Sequence, residues 1–205
     1  MAKSLLDQNR SYTFSNYFDL GIIATDLLAE FGYTLSKQQL QLPLYVGELE
    51  RLESLKRRID EVLPYVDSEN EATRREFMIA PIIAELIYYS HARVRVEYNL
   101  KLSDRLQGTL DYYLQSHNSV LVIEAKQADL SRGFSQLAAE LVALDQWTDS
   151  SQAEIIGAVT TGNIWQFGVL LRTEKHIQQS LNLYRVTEDL EAVMRILLAA
   201  LLPST

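Results

Sequence analysis

The sequence predicts an α/β protein with a mixed central β-sheet flanked by helices. From residue 71 onward, the pattern of apolar and polar residues predicts a helix, three strands, a second helix, further strands and a closing helix. Residues 93–102 alternate strictly between apolar and polar side chains, which is typical of a strand buried on one face. Hydrophobic residues make up 47% of the 205-residue chain, which is enough for one substantial core.

The segment 1–66 is predicted to be an N-terminal extension of a core that spans residues 67–205. Residues 11–45 follow no pattern that assigns a structure. After them, five apolar residues at alternating spacings of three and four share one stripe of a helix. They are Leu52, Leu55, Ile59, Val62 and Val66. The stripe favours a helix packed on the core over a dimer seam, since core packing is the commoner cause of this spacing.

The residues "SENEATRREFMIAPIIAELIYY", 68–89, predict the next helix. Ser68 and Glu71 have the spacing of a capping box, in which side chains hydrogen-bond to backbone N–H groups of the first turn. Pro81 donates no backbone hydrogen bond, so it either kinks this helix or begins a new segment.

Three strands are expected next. In "RVRVEYNLKL", residues 93–102, the alternation predicts one buried apolar face, made of Val94, Val96, Tyr98, Leu100 and Leu102. The stretch "GTLDYYLQSHNSVLVIEAKQ", residues 108–127, predicts two further strands joined by a tight turn.

The C-terminal third predicts helices and strands in turn. Residues 129–147 predict a helix whose inward face carries Phe134, Leu137, Leu141 and Leu144. Residues 153–172 predict two strands around a Thr-Gly-Asn turn, and "LNLYRV", residues 181–186, predicts another. An amphipathic helix beginning near residue 190 is expected to end before Pro203.

The strands of residues 108–127 contain charged residues in otherwise apolar surroundings. If residues 117 and 118 form a two-residue hairpin loop, Ser116 faces Ser119. Counting back from that pair puts Asp111 directly opposite Glu124. Carboxylates in this position repel each other, so a compensating cation is expected between them.

Mg²⁺ or Mn²⁺ fits this expectation, because such ions take oxygen ligands and are commonly held by one or two carboxylates together with substrate phosphate. Lys126 is expected opposite Thr109 on the same face of the sheet. There it can hold or activate a water and offset charge that develops on a phosphate. These residue types predict metal-assisted phosphodiester hydrolysis. A salt bridge between Lys126 and either carboxylate would give the same sequence, and the residues alone leave both interpretations open.

The stretches "GTLDYYL" and "VLVIEAK" and the helix after them resemble the PD-(D/E)XK nuclease superfamily. "SENEATRREFMIAPIIAEL", "RVEYNL" and "IIGAVTTGNIWQF" are similar to the nuclease module of type I restriction enzymes and its stand-alone relatives. The resemblance covers residues 68–170. It implies a restriction-endonuclease-like sandwich and a Mg²⁺-dependent nuclease whose partner is nucleic acid, with DNA expected. Leu110 precedes Asp111 where the superfamily's name has proline.

By position, the resemblance implies that Asp111 and Glu124 ligate the metal and that the carbonyl of Ala125 adds a ligand. It implies that Lys126 is the catalytic lysine.

Two further residues are implied by the same resemblance. Such nucleases often add a glutamate from the first helix, here Glu71 or, as second choice, Glu76. Some branches carry Gln-x-x-x-Tyr on the helix after the lysine, which implies a phosphate-contacting role for Gln136. This chain has Glu140 where that tyrosine would be.

The net charge of −8 argues against a protein held to nucleic acid by bulk electrostatics. Six basic residues fit two interpretations, a local phosphate-binding patch and a solvated strand face. The residues are Arg74, Arg75, Arg93, Arg95, Lys101 and Arg105. Trp147 and Trp165 are interpreted as core or interface residues rather than as platforms on which bases stack.

Cysteine is absent from the sequence, which excludes disulfides and thiolate metal sites. No apolar run reaches the roughly 20 residues of a membrane span, so we expect a cytoplasmic protein without a membrane partner. A second function class stays open beside the nuclease. It is a catalytically silent, nuclease-fold binding or assembly subunit that forms a homodimer or joins a partner protein.

Overall fold

The structure is a computed structural model that describes residues 5–7, 10–66, 70–116, 119–126 and 129–202. The strands are β1 (Thr34–Gln38), β2 (Arg93–Lys101), β3 (Gln107–Ser116), β4 (Ser119–Ala125), β5 (Glu154–Thr160), β6 (Ile164–Leu171) and β7 (His176–Arg185). The helices are α1 (Phe14–Asp19), α2 (Ala24–Glu30), α3 (Leu52–Val62), α4 (Glu71–Arg74), α5 (Ala80–Ser90), α6 (Leu130–Trp147) and α7 (Leu190–Leu201).

The seven strands form one mixed sheet in the order β1-β7-β6-β5-β4-β3-β2. The pairs β1–β7 and β4–β5 are parallel, and the remaining pairs are antiparallel. Helices cover both faces of the sheet, which confirms the predicted α/β class. Within the described residues, no helix combines the length and the apolarity that crossing a bilayer requires.

Two apolar clusters fill the spaces between the sheet and its helices. One cluster contains side chains of α1, α2 and α6, and the other contains side chains of α3, α5 and α7. Along β4, Val122 belongs to the first cluster and Ile123 to the second. This alternation follows from strand geometry, in which successive side chains point to opposite faces. Strand β4 is therefore buried on both faces.

The described part of residues 1–66 belongs to this same core rather than to a separate extension. Phe14 and Tyr17 of α1 are fully buried against the α6 side of the sheet, and β1 extends the sheet by pairing with β7. In α3, Leu55 and Ile59 are buried while Val62 is exposed. The stripe therefore packs on the core, as predicted.

The helix predicted for residues 68–89 is interrupted. Between α4 and α5 the chain forms a π-helical segment, Arg75–Ile79, and Pro81 lies in the first turn of α5. Proline is tolerated there because the first-turn N–H groups of a helix need no partner within that helix. The predicted capping box lies outside the description, since Ser68 and the side chain of Glu71 are not among the described groups.

The predicted single buried face of β2 is wrong. Val94 packs against the cluster of α3, α5 and α7, whereas Tyr98 and Leu100 belong to the cluster on the α6 side. The backbone of Glu97 has a positive φ of 52° and carries the strand's apolar residues from one face to the other. Val96, just before this switch, is 54% exposed. A non-glycine residue in this conformation is strained.

The other predicted elements of the C-terminal half are confirmed. The Thr-Gly-Asn turn joins β5 and β6, the residues "LNLYR" lie in β7, and α7 begins at Leu190. The predicted inward face of α6 is fully buried. Pro203 lies outside the described residues.

Candidate active site

The β3–β4 hairpin has the predicted register. Ser116 pairs with Ser119 and Tyr112 pairs with Ile123, so Asp111 and Glu124 follow next along the two strands. The loop residues 117 and 118 lie outside the described part of the chain.

At Asp111 the side chains of β3 switch from one face of the sheet to the other. Leu110 packs on the α6 side of the sheet and Tyr112 on the opposite side, although their shared parity would put them on one face. The Asp111 carboxylate accepts a hydrogen bond from the backbone N–H of Ala125, with 2.9 Å between Oδ2 and N. Oδ1 lies 3.8 Å from Nη1 of Arg75. These contacts hold Asp111 at the end of β4.

Glu124 is 1% exposed and lies on the α6 side of the sheet. Its Oε1 is 2.5 Å from Nζ of Lys126, which confirms that the two side chains share a face. Gln136 of α6 donates a hydrogen bond from Nε2 to the same Oε1 at 2.7 Å and to Oε1 of Glu140 at 3.0 Å. Glu140 is fully buried. The site is therefore a buried cluster of two carboxyl groups, one amide and one ammonium group.

The second oxygens of Glu124 and Glu140 are buried without a hydrogen-bond donor from other described groups. The two carboxyl groups lie within hydrogen-bonding reach of each other. Burial, then the charges of Glu140 and Asp111, raise the pKa of Glu124 well above the usual glutamate range. Burial raises the pKa of Glu140 to about 7. Near neutral pH the pair of carboxyl groups therefore keeps a proton.

Lys126 stays an ammonium ion. Burial lowers its pKa, but the neighbouring carboxylate of Glu124, with smaller contributions from Asp111 and Glu140, outweighs burial and raises the pKa above the usual lysine value. A lysine with a raised pKa is a poor general base. The site therefore favours Lys126 as a source of positive charge over a role in deprotonating water.

The surroundings of Lys126 fix its position from three elements. Its backbone N–H donates to the carbonyl of Thr160 on β5, and its Nζ lies 5.0 Å from the ring centroid of Phe18 in α1. A Cβ at Gly133 in α6 would come within 2.9 Å of the Lys126 Cγ. Lys126 lies past the end of β4, so it does not pair with Thr109 as the register count predicted, and the Thr109 hydroxyl bonds to Asn99.

The resemblance implies one of two glutamates from the first helix. The side chain of Glu71 is outside the described groups, and Glu76 is exposed on the π-helical segment. Among the described side chains, no three His, Cys, Asp or Glu groups lie close enough together to hold a metal ion. For Ala125, the backbone N–H is bonded to Asp111 and the side chain is buried on the opposite face from Glu124.

Two residues make contacts at this site that the sequence did not predict. Arg75 of the π-helical segment contacts Asp111 and lies 3.2 Å from a carboxylate oxygen of Glu97. Glu140 shares the Gln136 amide with Glu124. The sequence feature that could have identified Glu140 is its position four residues after Gln136, which puts two polar side chains on one face of an otherwise apolar helix.

Neither models of known protein families nor curated protein sequences match this chain.

Proposed function

We propose that this protein is a metal-dependent nuclease that hydrolyses phosphodiester bonds, with DNA as its substrate. The observation that carries the proposal is the buried Glu124 carboxylate, 2.5 Å from the Lys126 ammonium group, at the strand end where Asp111 is held. Placing two carboxylates and an ammonium group beside the end of one strand costs stability, and such clusters are common at catalytic sites.

The donor set fits Mg²⁺ or Mn²⁺ held by two carboxylates, with water and substrate phosphate as the remaining ligands. The buried second oxygen of Glu124 accepts no hydrogen bond from another described residue, so a divalent ion that displaces the proton of the carboxyl pair would find an available ligand there. Asp111 is the other carboxylate, and the Ala125 carbonyl is the proposed third protein ligand. A divalent ion bound there would polarise the phosphate and lower the pKa of bound water.

The chain's own residues would contribute charge and orientation. The Lys126 ammonium group would donate a hydrogen bond to a non-bridging phosphate oxygen and stabilise the charge that develops there. Gln136 is 3% exposed and bonds to Glu124, so it would position that carboxylate rather than contact phosphate. The proposed acid of the first helix remains Glu71 or Glu76. A restriction-endonuclease-like fold and a cytoplasmic location also remain predictions.

Cleavage assays test the proposal directly. Purified protein is incubated with plasmid DNA and with DNA and RNA oligonucleotides, in Mg²⁺, in Mn²⁺ and in chelator. We expect DNA cleavage that needs the metal and is lost in Lys126→Met. Lys37→Met is the matched control, because Lys37 is exposed on β1 at the far edge of the sheet. Cleavage that survives Lys126→Met would refute this site.

A catalytically silent binding or assembly subunit is the second candidate. The observation that favours it is that each carboxylate already has internal partners, Asp111 at the Ala125 N–H and Glu124 at Lys126 and Gln136. A protein that cleaves no substrate in any metal, and that light scattering shows as a homodimer or pull-down shows with a partner protein, would favour this candidate. A monomer that cleaves DNA by itself would exclude it.

A further inference from the structure

A cavity of about 500 Å³ opens at the C-terminal end of α6, beside β2 and β3. Its walls include Arg95, Tyr98, Tyr113, Gln115, Trp147 and Asp149. The cluster of buried carboxyl groups described above contacts the middle of the same helix through Gln136 and Glu140, and none of its residues lines this cavity. The cavity therefore offers a separate surface on the α6 side of the sheet.

Three aromatic rings meet in this cavity. Tyr98 stacks on Tyr113 with 5.6 Å between ring centroids and 24° between ring planes. The Trp147 ring centroid lies 6.0 Å from the centroid of each tyrosine ring. Tyr113 is 2% exposed, whereas Trp147 is 38% exposed. The buried ring thus supports two more accessible rings against which a planar group can stack.

A guanidinium group adds positive charge to this aromatic surface. Arg95 is exposed, and its Cζ lies 4.6 Å from the Tyr98 centroid and 6.0 Å from the Tyr113 centroid. Within the described part of the chain, Arg95 forms no ion pair, and the cavity's acidic residue, Asp149, is not within salt-bridge distance of it. The rings hold the guanidinium group in place while its N–H donors remain available to an anion.

The two tryptophans of the chain differ in a way that supports a binding role for one of them. Trp165 is fully buried, and its Nε1 donates to the carbonyl of Gly162 at 3.1 Å. Trp147 is partly exposed, and no described group accepts a hydrogen bond from its indole N–H. Trp165 thus fits the interpretation as a core residue, whereas Trp147 lines the cavity and its indole N–H has no acceptor among the described groups.

We propose that this cavity binds one unpaired nucleotide, with its base against Trp147 and Tyr98 and its phosphate at Arg95. Bases stack on aromatic side chains with little sequence preference, and arginine forms strong hydrogen bonds to phosphate. The proposal rests on the proposed function for the identity of the ligand as part of a nucleic acid substrate. It adds that the substrate has a single-stranded segment.

The distances along β3 and α6 from the proposed active site to the cavity match the length of a few nucleotides. Tyr113 lies two residues after Asp111 on β3, about 7 Å along the strand. Trp147 lies seven residues after Glu140 on α6, about 10 Å along the helix. Stacked nucleotides in one strand are about 3.4 Å apart, so these separations correspond to about two or three nucleotides between the cleaved bond and the bound base.

Tryptophan fluorescence and anisotropy together test this proposal in chelator, where cleavage does not occur. The probes are a labelled single-stranded DNA oligonucleotide, the same sequence as a duplex, and adenosine monophosphate. Because Trp165 is buried, quenching of emission reports on Trp147, and Trp147→Phe identifies that signal. We expect saturable quenching by the single strand, weaker binding of the duplex, and about tenfold or greater loss of affinity in Arg95→Leu and Trp147→Leu.

Arg10→Leu is the matched control, since Arg10 is exposed and also lies over a tyrosine ring, 5.3 Å from the centroid of Tyr12. It is expected to bind the oligonucleotide as the wild type does. Quenching by the single strand alone identifies the ligand as a polynucleotide, whereas equal quenching by the monophosphate identifies a free nucleotide, and both support the cavity as a nucleotide site.

The result that overturns the proposal is oligonucleotide binding with unchanged Trp147 emission and unchanged affinity in Arg95→Leu. This failure is distinguishable from failure of the nuclease proposal. Metal-dependent DNA cleavage without a change in Trp147 emission refutes the nucleotide site in the cavity but not the nuclease proposal. Quenching of Trp147 in a protein that cleaves no substrate supports the cavity and refutes the nuclease.

Discussion

Replacing Glu140 by glutamine should stabilise the metal-free protein at neutral and alkaline pH. Two carboxyl groups, Glu124 and Glu140, are buried beside a single ammonium group. The ammonium group balances the charge of one carboxylate, so the other carboxyl group avoids a buried, unbalanced charge only while it is protonated. A glutamine side chain is neutral at every pH and has nearly the same shape. Its carbonyl can accept the Gln136 hydrogen bond, and its amide can donate to the second oxygen of Glu124.

The magnitude follows from the pKa of Glu140, which burial raises from the ordinary 4.5 to about 7. Between these values the folded protein holds a proton that the unfolded chain has released, so the free energy of unfolding falls as pH rises. At about 1.36 kcal/mol per pH unit, the loss reaches about 3 kcal/mol above pH 7. It is absent below pH 4.5, where both states are protonated. The glutamine variant avoids this loss.

Urea unfolding in chelator at several pH values from about 5 to 8 measures this difference. The wild type is expected to lose stability across this range, while Glu140→Gln changes less and unfolds at higher urea concentration at pH 8. In thermal melts the same difference corresponds to about 6–12 °C for a chain of this length. Glu61→Gln is the control, because Glu61 is exposed on α3. Parallel pH profiles for the wild type and Glu140→Gln would refute the proton-sharing pair.

Three further substitutions test other parts of the structure. Asp111→Asn should melt higher than the wild type in chelator, by on the order of 1 kcal/mol or less, because the charge of Asp111 opposes ionisation of Glu124. A Mg²⁺ titration should reverse that ranking, and equal metal responses would mean that the two carboxylates do not share an ion. Gly133→Ala should lose about 1–3 kcal/mol in urea unfolding, because the new Cβ would lie 2.7 Å from Cγ2 of Val159, and unchanged stability would contradict the tight contact of α6 with β5. Arg172→Met should lose about 2–3 kcal/mol, since it removes a 2.6 Å charged hydrogen bond to a largely buried aspartate; a loss below about 1 kcal/mol would show that this ion pair adds little.

The sequence predicted the features of this protein that depend on neighbouring residues. The register of β3 and β4 followed from a two-residue loop and the two-residue period of a strand, and the pairs Ser116–Ser119 and Tyr112–Ile123 confirm it. The buried face of α6 followed from helical periodicity. These predictions succeed because loop length and side-chain period are local properties of the backbone. For the candidate site, they were sufficient to bring Glu124 and Lys126 to one face.

Only the tertiary structure decided the features that join distant segments. Strand β1 contains a single apolar residue, Leu35, and carries no strand pattern, yet it pairs with β7, about 140 residues later in the chain. At Glu97 the regular alternation of side chains is interrupted, so that Val94 packs on one face of the sheet and Tyr98 on the other, against the cluster that contains α6. The cluster of Glu124 with Glu140 requires the packing of a helix on a strand. Such contacts depend on which surfaces meet after chain collapse, and neither propensity nor periodicity within one segment encodes that.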